Sequence, residues 1–164
     1  MQESYFVNFH IKIHLELYKI NKIKEIYGVP LTFSPAAIDT IKTHFKDRGI
    51  DNNYFDMVVT GDLGKFGYSI AKEKLAEEGV DLSNRFYDCG AMIYKEEQDA
   101  HAGGSGCGCC ASVFSGYIFD MLKQGKIDRV LLVATGALMS TTSAYQGNSI
   151  PGIAHAVSIE RVKK

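Results

Sequence analysis

A histidine, whose imidazole ring can take part in acid–base chemistry, begins a glycine-rich loop. His101 is followed closely by Gly103, Gly104, Ser105 and Gly106. Glycine lets a backbone approach a ligand closely, and backbone N–H groups at the start of a helix can hold a carboxylate or an oxyanion. The segment therefore predicts a small-ligand site that uses His101, or else a tightly packed loop whose histidine only hydrogen-bonds the loop itself.

Three of the four cysteines follow this loop, at Cys107, Cys109 and Cys110. A zinc site needs a second pair of ligands elsewhere, and Cys89 alone does not supply it, so we expect neither a metal nor another cofactor. Because a helix N-terminus lowers the pKa of a thiol, Cys107 could act as a nucleophile with His101 as its base. We favour the alternative, in which all three cysteines fill the core.

Two apolar runs end in the same Thr-Gly pair, at Gly61 and at Gly136. In open α/β sheets, ligands bind outside the carboxyl ends of the strands. Asp62 and Asp99 can each cap a loop or orient His101, and the sequence does not separate these two roles. The expected site gathers Gly61 and Asp62, the His101 loop, and residues 136–143.

The elements that must position these residues alternate between strands and helices. Residues 7–17 alternate apolar and polar side chains, which predicts a half-buried strand, and their charged positions suit a sheet edge. Ser34 and Pro35 predict a helix start, and Gly49, Gly79 and Gly125 predict helix ends. The predicted strands cover residues 7–17, 56–61, 129–134 and 154–161, and the predicted helices cover residues 34–48, 65–78 and 107–124.

This order predicts an α/β fold with a mixed, mostly parallel sheet and helices on both faces. The first two helices each have one apolar stripe, so we place them on one face and the third helix on the other. The third helix is apolar on every side, which is typical of a buried helix. We therefore expect a partner to cover it, through the small residues Ala111, Ser112, Ser115 and Gly116.

Composition excludes several classes of protein. A chain of 164 residues with 46% hydrophobic and 23% charged residues is typical of one globular domain. A net charge of −1 gives no electrostatic reason to bind nucleic acid. The sequence contains neither an apolar run long enough for a membrane span nor a signal-peptide pattern. We expect a cytoplasmic protein with reduced cysteines.

From about residue 33 to residue 160, the chain resembles the C-terminal half of the stage V sporulation protein AD family, within the thiolase-like superfamily. Residues 1–32 do not resemble that family. The expected organisation is a divergent segment at 1–32 with one strand, and a thiolase-like half-domain at 33–164. The strings that carry the resemblance lie at residues 34–37, 59–68, 88–90, 101–109, 135–143 and 150–157.

The resemblance implies a fold of two similar halves around two central helices, of which residues 107–124 form one. It also implies a part in the uptake of dipicolinic acid, or a similar small carboxylate, into the spore. The protein would bind that ligand without catalysis and would work with other stage V membrane proteins, in the cytoplasm or peripherally at the forespore or spore inner membrane. Its oligomeric partner would be a second copy or a separate N-terminal half.

Two alternatives remain open under this resemblance. Residues 101–106 are similar to the thiolase loop whose histidine acts at the acyl group, so His101 would be catalytic if the protein is an acyltransferase. No cysteine stands at residues 148–152, where thiolases carry their acid/base cysteine, and this departure argues against thiolytic chemistry. The second alternative is an inactive remnant that lacks the N-terminal half.

Overall fold

A computed structural model of the protein describes residues 9–18, 29–137, 142, 145–146 and 152–162, with residues 9–18 and 29–33 described by their backbone. The described part folds around a five-stranded sheet with strand order β1-β5-β4-β2-β3. The strands are β1 (Phe9–Tyr18), β2 (Met57–Thr60), β3 (Phe86–Asp88), β4 (Arg129–Ala137) and β5 (Gly152–Arg161). The helices are α1 (Val29–Arg48), α2 (Gly64–Glu77), α3 (Cys89–Met92), α4 (Gly108–Val113) and α5 (Phe119–Lys123), with 3₁₀ turns at Ser83–Arg85 and Glu96–Gln98.

Strand directions confirm the predicted mixed, mostly parallel sheet. β4, β2 and β3 run parallel to one another, and β5 runs antiparallel to both β4 and β1. Among the five described strands, β5 therefore runs against the other four. β1 pairs with β5 along its whole length, from Phe9 opposite Arg161 to Tyr18 opposite Gly152. The predicted N-terminal strand and its place at a sheet edge are both confirmed.

The two faces of the sheet carry different helices, as predicted. α1 and α2 pack against each other and cover one face, over a first core that includes Ile41, Leu75 and Leu131. The other face carries the helix predicted at 107–124, over a second core that includes Val59 and Val130. Each of these helices thus buries apolar side chains against the face of the sheet that it covers.

The helix on the second face is continuous from residue 108 to residue 123, and we call it the long helix. α4 leads into a π-helical segment at Phe114–Ile118, which leads into α5. Ile118 and Leu122 are fully buried in the second core. The four small residues predicted to face a partner, Ala111, Ser112, Ser115 and Gly116, are all exposed. In the described part of the chain, no helix is long and apolar enough to cross a membrane.

Glycines end the helices where the sequence predicts. After α1, Gly49 takes the left-handed conformation at φ +59°. Its N–H donates to the Lys46 carbonyl at 3.1 Å, and the Ile50 N–H donates to the Phe45 carbonyl at 3.2 Å. This pair of bonds is the Schellman arrangement, which satisfies carbonyl groups at a helix end. Gly79 and Gly125 end α2 and the long helix in the same way.

The predicted start of α1 is wrong. The helix begins at Val29, so Ser34 is not its N-cap and Pro35 lies inside it. α1 packs against β1 and β5, and this tertiary packing outweighs the local capping signal. α1 also spans residue 33, where the predicted half-domain begins. β1, which lies in the predicted N-terminal segment, belongs to the same sheet as the other strands.

Three further details differ from the sequence prediction. β4 extends to Ala137 rather than Ala134, because its pairing with β5 continues as far as Gly152. β3 and α3 were not predicted, since three or four residues carry too little periodicity to be recognised. The π-helical segment also leaves no periodic signal of its own.

Candidate functional site

A buried carboxylate organises the carboxyl ends of β2 and β3. Asp88 is 1% exposed, and its two oxygens accept four hydrogen bonds. Thr60 Oγ1 donates at 2.7 Å and the Leu63 N–H at 2.9 Å to Oδ2. The N–H groups of Gly64 and Ala91 each donate at 2.9 Å to Oδ1. One side chain therefore joins β2 to the first turns of both α2 and α3.

Strand pairing explains why Asp88 reaches these donors. β2 and β3 are parallel neighbours, and Asp88 lies opposite Thr60 where both strands end. Burial raises the pKa of the Asp88 carboxyl above its usual value, and the four donors, which favour the carboxylate, keep that rise partial. Asp88 is not among the site residues predicted from the sequence. Its position before a short helix is an N-cap signal, but three of its donors lie far away in the sequence.

The two Thr-Gly strand ends meet, as the sequence predicts. Thr135 Oγ1 donates to Asp62 Oδ1 at 2.6 Å, and the Asp62 N–H donates back to that hydroxyl oxygen at 3.3 Å. A Cβ placed on Gly61 would lie 2.9 Å from Thr135 Oγ1. Gly136 follows on β4 and is half-buried, while residues 138–141 and 143 of the expected site lie outside the described part.

The inner glycines of the His101 loop pack against α3. The Gly104 N–H donates to the Gly90 carbonyl at 2.7 Å. A Cβ on Gly90 would collide with the Gly104 carbonyl oxygen, and one on Gly103 would collide with the Gly90 carbonyl oxygen. Ser105 and Gly106 are exposed, and a Cβ on Gly106 would meet nothing within 4 Å. Of the predicted ligand-binding glycines in this loop, Gly103 and Gly104 therefore have a packing role.

His101 lies on the outer side of the same loop. Its side chain is 87% exposed, and Nδ1 lies 3.6 Å from Asp99 Oδ1. Asp99 is thus the acid that accompanies His101, while Asp62 bonds to Thr135. The Lys65 N–H donates to the Ala102 carbonyl at 2.8 Å, which ties the loop to the start of α2.

A small cleft of about 150 Å³ lies beside His101. Lys65 and Lys95 bring positive charge to its lining, and Tyr94 brings an aromatic ring that is 46% exposed. The complete lining consists of Lys65, Ala91, Tyr94, Lys95, Glu96, Asp99, Ala100, His101 and Gly103. Neither Asp62 nor Gly136 lines this cleft. The predicted site residues therefore form two groups, one at the cleft beside His101 and one at the ends of β2 and β4.

The cysteines behave differently from one another. Cys109 is buried in the second core, as predicted, and burial raises the pKa of its thiol. Cys107 is exposed, so its predicted role as core filler is wrong. Cys110 is half-buried, and a hydrogen bond from the Cys89 side chain lowers the pKa of its thiol. Within residues 29–137 and the other described positions, no three histidine, cysteine or acidic residues are grouped to hold a metal ion.

Structure comparison gives two weak matches. A variant of OleA from Xanthomonas campestris matches 79% of this chain and 41% of its own, at 15% identity and a TM-score of 0.41. The 3-oxoacyl-(acyl carrier protein) synthase III, FabH, of Xanthomonas oryzae pv. oryzae matches 78% of this chain and 39% of its own, at 18% identity and a TM-score of 0.37.

Sequence comparison gives a much stronger match. The family described as Stage V sporulation protein AD matches residues 21–160, so the expectation that residues 21–32 do not resemble it is wrong. The Stage V sporulation protein AD of Bacillus subtilis (strain 168) is 45% identical over 139 residues, which are 85% of this chain and 41% of that protein. The chain therefore spans less than half the length of this relative. Since the match covers most of the present sequence, the chain belongs to the stage V sporulation protein AD family.

Proposed function

We propose that this member of the family binds dipicolinate, a flat ring with two carboxylates, and does so without catalysis. The observation that carries the proposal is the cleft beside His101, where cationic side chains and an aromatic ring line a space the size of a small molecule. The link of this family to dipicolinic acid uptake, which the resemblance implies, supports the choice of ligand.

The lining of the cleft suits this chemistry. Lys65 and Lys95 offer ammonium groups to the two carboxylates, and His101 offers a ring N–H. The exposed ring of Tyr94 provides a surface on which an aromatic ligand can stack. Glu96 and Asp99 also line the cleft, so the carboxylates are expected on the side of the two lysines. Because these groups are exposed, the affinity should fall as salt is added.

The contacts of the candidate nucleophiles favour binding over acyl transfer. Covalent catalysis needs a base within hydrogen-bonding reach of its nucleophile. His101 Nδ1 faces Asp99 Oδ1. Cys107, the candidate nucleophile, is exposed, and within the described part of the chain no hydrogen bond joins it to His101. The Cys109 sulfur lies against Gly104. An acyltransferase that uses His101 would have to bring these groups together in another arrangement.

The family also suggests a setting for such a protein. We propose that it delivers its ligand to other stage V proteins in the membrane, and that it lies peripherally at the forespore or the spore inner membrane. The uncharged face of the long helix is the surface that we assign to a partner: a second copy or a separate N-terminal half. Ala111, Ser112, Ser115 and Gly116 are exposed there beside Tyr117, which is 53% exposed, and small residues allow helices to approach closely.

Calorimetry with dipicolinate tests the ligand. We expect saturable binding, weaker binding of picolinate, which lacks one carboxylate, and no binding of acetyl-CoA. Lys65→Ala or His101→Ala should weaken binding at least several-fold. Lys126→Ala, which removes an exposed positive charge after the long helix, serves as the matched control and should bind as the wild type does. Equal loss in all three variants, or binding of acetyl-CoA alone, would refute the proposal.

Sedimentation of the purified chain tests the partner surface. We expect association at micromolar concentration that Ser115→Arg abolishes, because a charged side chain would be placed between two close helices. Lys123→Ala, near the end of the long helix, is the control and should leave association unchanged. A stable monomer that binds no hydrophobic dye would contradict the assignment of this face.

A further inference from the structure

The outer edge of β1 is the longer of the two free edges in the described part of the sheet. The strand order places β1 at one edge and β3 at the other. β3 has 3 residues, whereas β1 has 10, and each of those 10 pairs with β5 on the inner side. An edge strand presents unpaired N–H and C=O groups on its outer side. β1 therefore offers a long and regular template for another strand.

The alternation within β1 restricts how a second copy of the strand can pair with it. Its apolar residues occupy odd positions, such as Ile11 opposite Ile159 and Ile13 opposite Val157, and its polar residues occupy even positions. A slip of one residue would bring apolar residues of one copy opposite polar residues of the other. Two copies of β1 should therefore pair odd positions with odd positions, and even positions with even positions.

The charges of β1 favour one of these registers. When His14 lies opposite His14 of a second copy in an antiparallel pair, Lys12 of each copy lies opposite Glu16 of the other, and Ile13 lies opposite Leu15. Opposite charges directly across an antiparallel pair are stabilising, and like charges are destabilising. A pair centred on Ile13 would instead place Lys12 opposite His14. A parallel pair in register would place each charged residue opposite the same residue of the other copy.

We propose that β1 pairs with β1 of a second copy, antiparallel and centred on His14, and that this pairing joins two five-stranded sheets into one. This surface differs from the exposed face of the long helix, which packs over β2 and β4 in the second core. The proposal therefore does not rest on the partner surface assigned above. The contact of one strand pair belongs to the small and transient class of interfaces, so we expect association only at roughly 0.1–1 mM.

Sedimentation of the full chain with Ser115→Arg tests the pairing, because this substitution is expected to remove association through the long helix. We expect dimers at roughly 0.1–1 mM. Adding Lys12→Glu or Glu16→Lys should weaken association at least several-fold, since either change places like charges opposite each other at both ionic pairs. An equal mixture of the two charge-reversed proteins should restore association, because opposite charges then meet at both pairs.

Glu97→Lys, also made in the Ser115→Arg chain, is the matched control. It changes the net charge as Glu16→Lys does, but at an exposed residue outside the sheet, and it should leave association unchanged. A monomer throughout the concentration range would overturn the proposal. So would association that survives both charge reversals, or a loss that the mixture does not restore. Restoration in the mixture also shows that both charge-reversed proteins are folded.

The long-helix surface stands or falls separately. It predicts association at micromolar concentration in the chain without Ser115→Arg, whereas β1 pairing predicts association that remains in the Ser115→Arg chain at higher concentration.

Discussion

Asp88 and His101 are titratable side chains on the same stretch of chain, residues 88–106, but Asp88 is buried and His101 is exposed. Asp88 is 1% exposed and accepts four hydrogen bonds. His101 is 87% exposed, and its Nδ1 lies 3.6 Å from Asp99 Oδ1. The polar groups of the inner residue are used to hold two strands and two helices together. Those of the outer residue remain available to solvent or to a ligand.

The glycines of this stretch divide in the same way. At Gly90, Gly103 and Gly104 a side chain would collide with, or crowd, neighbouring atoms, whereas at Gly106 it would meet nothing within 4 Å. A glycine-rich sequence near a histidine thus combines two functions. Its inner glycines allow close packing of the backbone, and its outer residues form an accessible surface.

Replacing the inner carboxylate should have the largest effect. Asp88→Asn places an amide N–H₂ among four donors, so at least two buried donors lose their acceptor, and we expect the free energy of unfolding to fall by about 2–4 kcal/mol. Asp99→Asn makes the same chemical change at an exposed residue and should alter stability by less than about 0.5 kcal/mol. Urea denaturation measures both values, and equal values for the two variants would remove the distinction between inner and outer residues.

A second matched pair of variants tests the packing of the loop. Gly90→Ala forces a methyl group against the Gly104 carbonyl oxygen and within 3.0 Å of Asp88 Oδ1. We expect it to lower the free energy of unfolding by about 1–3 kcal/mol, as overpacking does in well-packed cores. Gly106→Ala adds the same methyl group in open space and should have little effect on the thermal midpoint. A neutral Gly90→Ala would mean that the loop can move away from α3.

Glu160 is partly buried, between the extremes of Asp88 and His101, and we expect its replacement to have a smaller effect on stability. Burial tends to raise the pKa of its carboxyl, but the hydrogen bond from Tyr54 and the charge of Arg48 outweigh burial and lower that pKa below its usual value. A lowered pKa in the folded state adds stability above the pKa of the unfolded state, and this contribution is lost as the pH falls through the folded pKa. Asp88, whose pKa is raised, contributes with the opposite sign: its share is present at low pH and is lost as the pH rises.

We therefore expect Glu160→Gln to flatten the acid side of the stability profile, below about pH 4. Glu97→Gln, at an exposed residue, controls for the loss of one negative charge. Urea denaturation at several pH values gives the profile. An unchanged slope in Glu160→Gln would mean that its contacts with Tyr54 and Arg48 do not favour the ionised carboxylate.

Features that depend on neighbouring residues were predictable from the sequence. Gly49, Gly79 and Gly125 end helices because a residue with positive φ after a helix is a local requirement. The alternation at residues 7–17 also predicts β1, since a strand with one buried face repeats every two residues. In contrast, the capping signal at Ser34 and Pro35 was misleading, because contacts with distant strands extend α1 to Val29.

The candidate site was predictable only in part, for the same reason. Two strands that end in Thr-Gly pointed to the contact between Asp62 and Thr135, which parallel pairing brings together. The role of Asp88 depends on Thr60, Leu63 and Gly64, which are 24 to 28 positions away. The cleft lining likewise joins Lys65 on α2 with residues that follow α3. Such groupings become visible only once strand order is known.

Hydrogen exchange with and without dipicolinate is the most direct test of the division within residues 88–106. It shows whether the exposed residues around His101 bind the ligand while the buried residues around Asp88 are structural. The backbone amides of residues 88–91 should exchange slowly in both states, because they belong to the Asp88 network. Those of residues 95–102, 105 and 106 should exchange faster in the free protein and slow down when dipicolinate is added. Unchanged exchange at these residues, with protection elsewhere or nowhere, would contradict this division into an outer ligand site and an inner structural part.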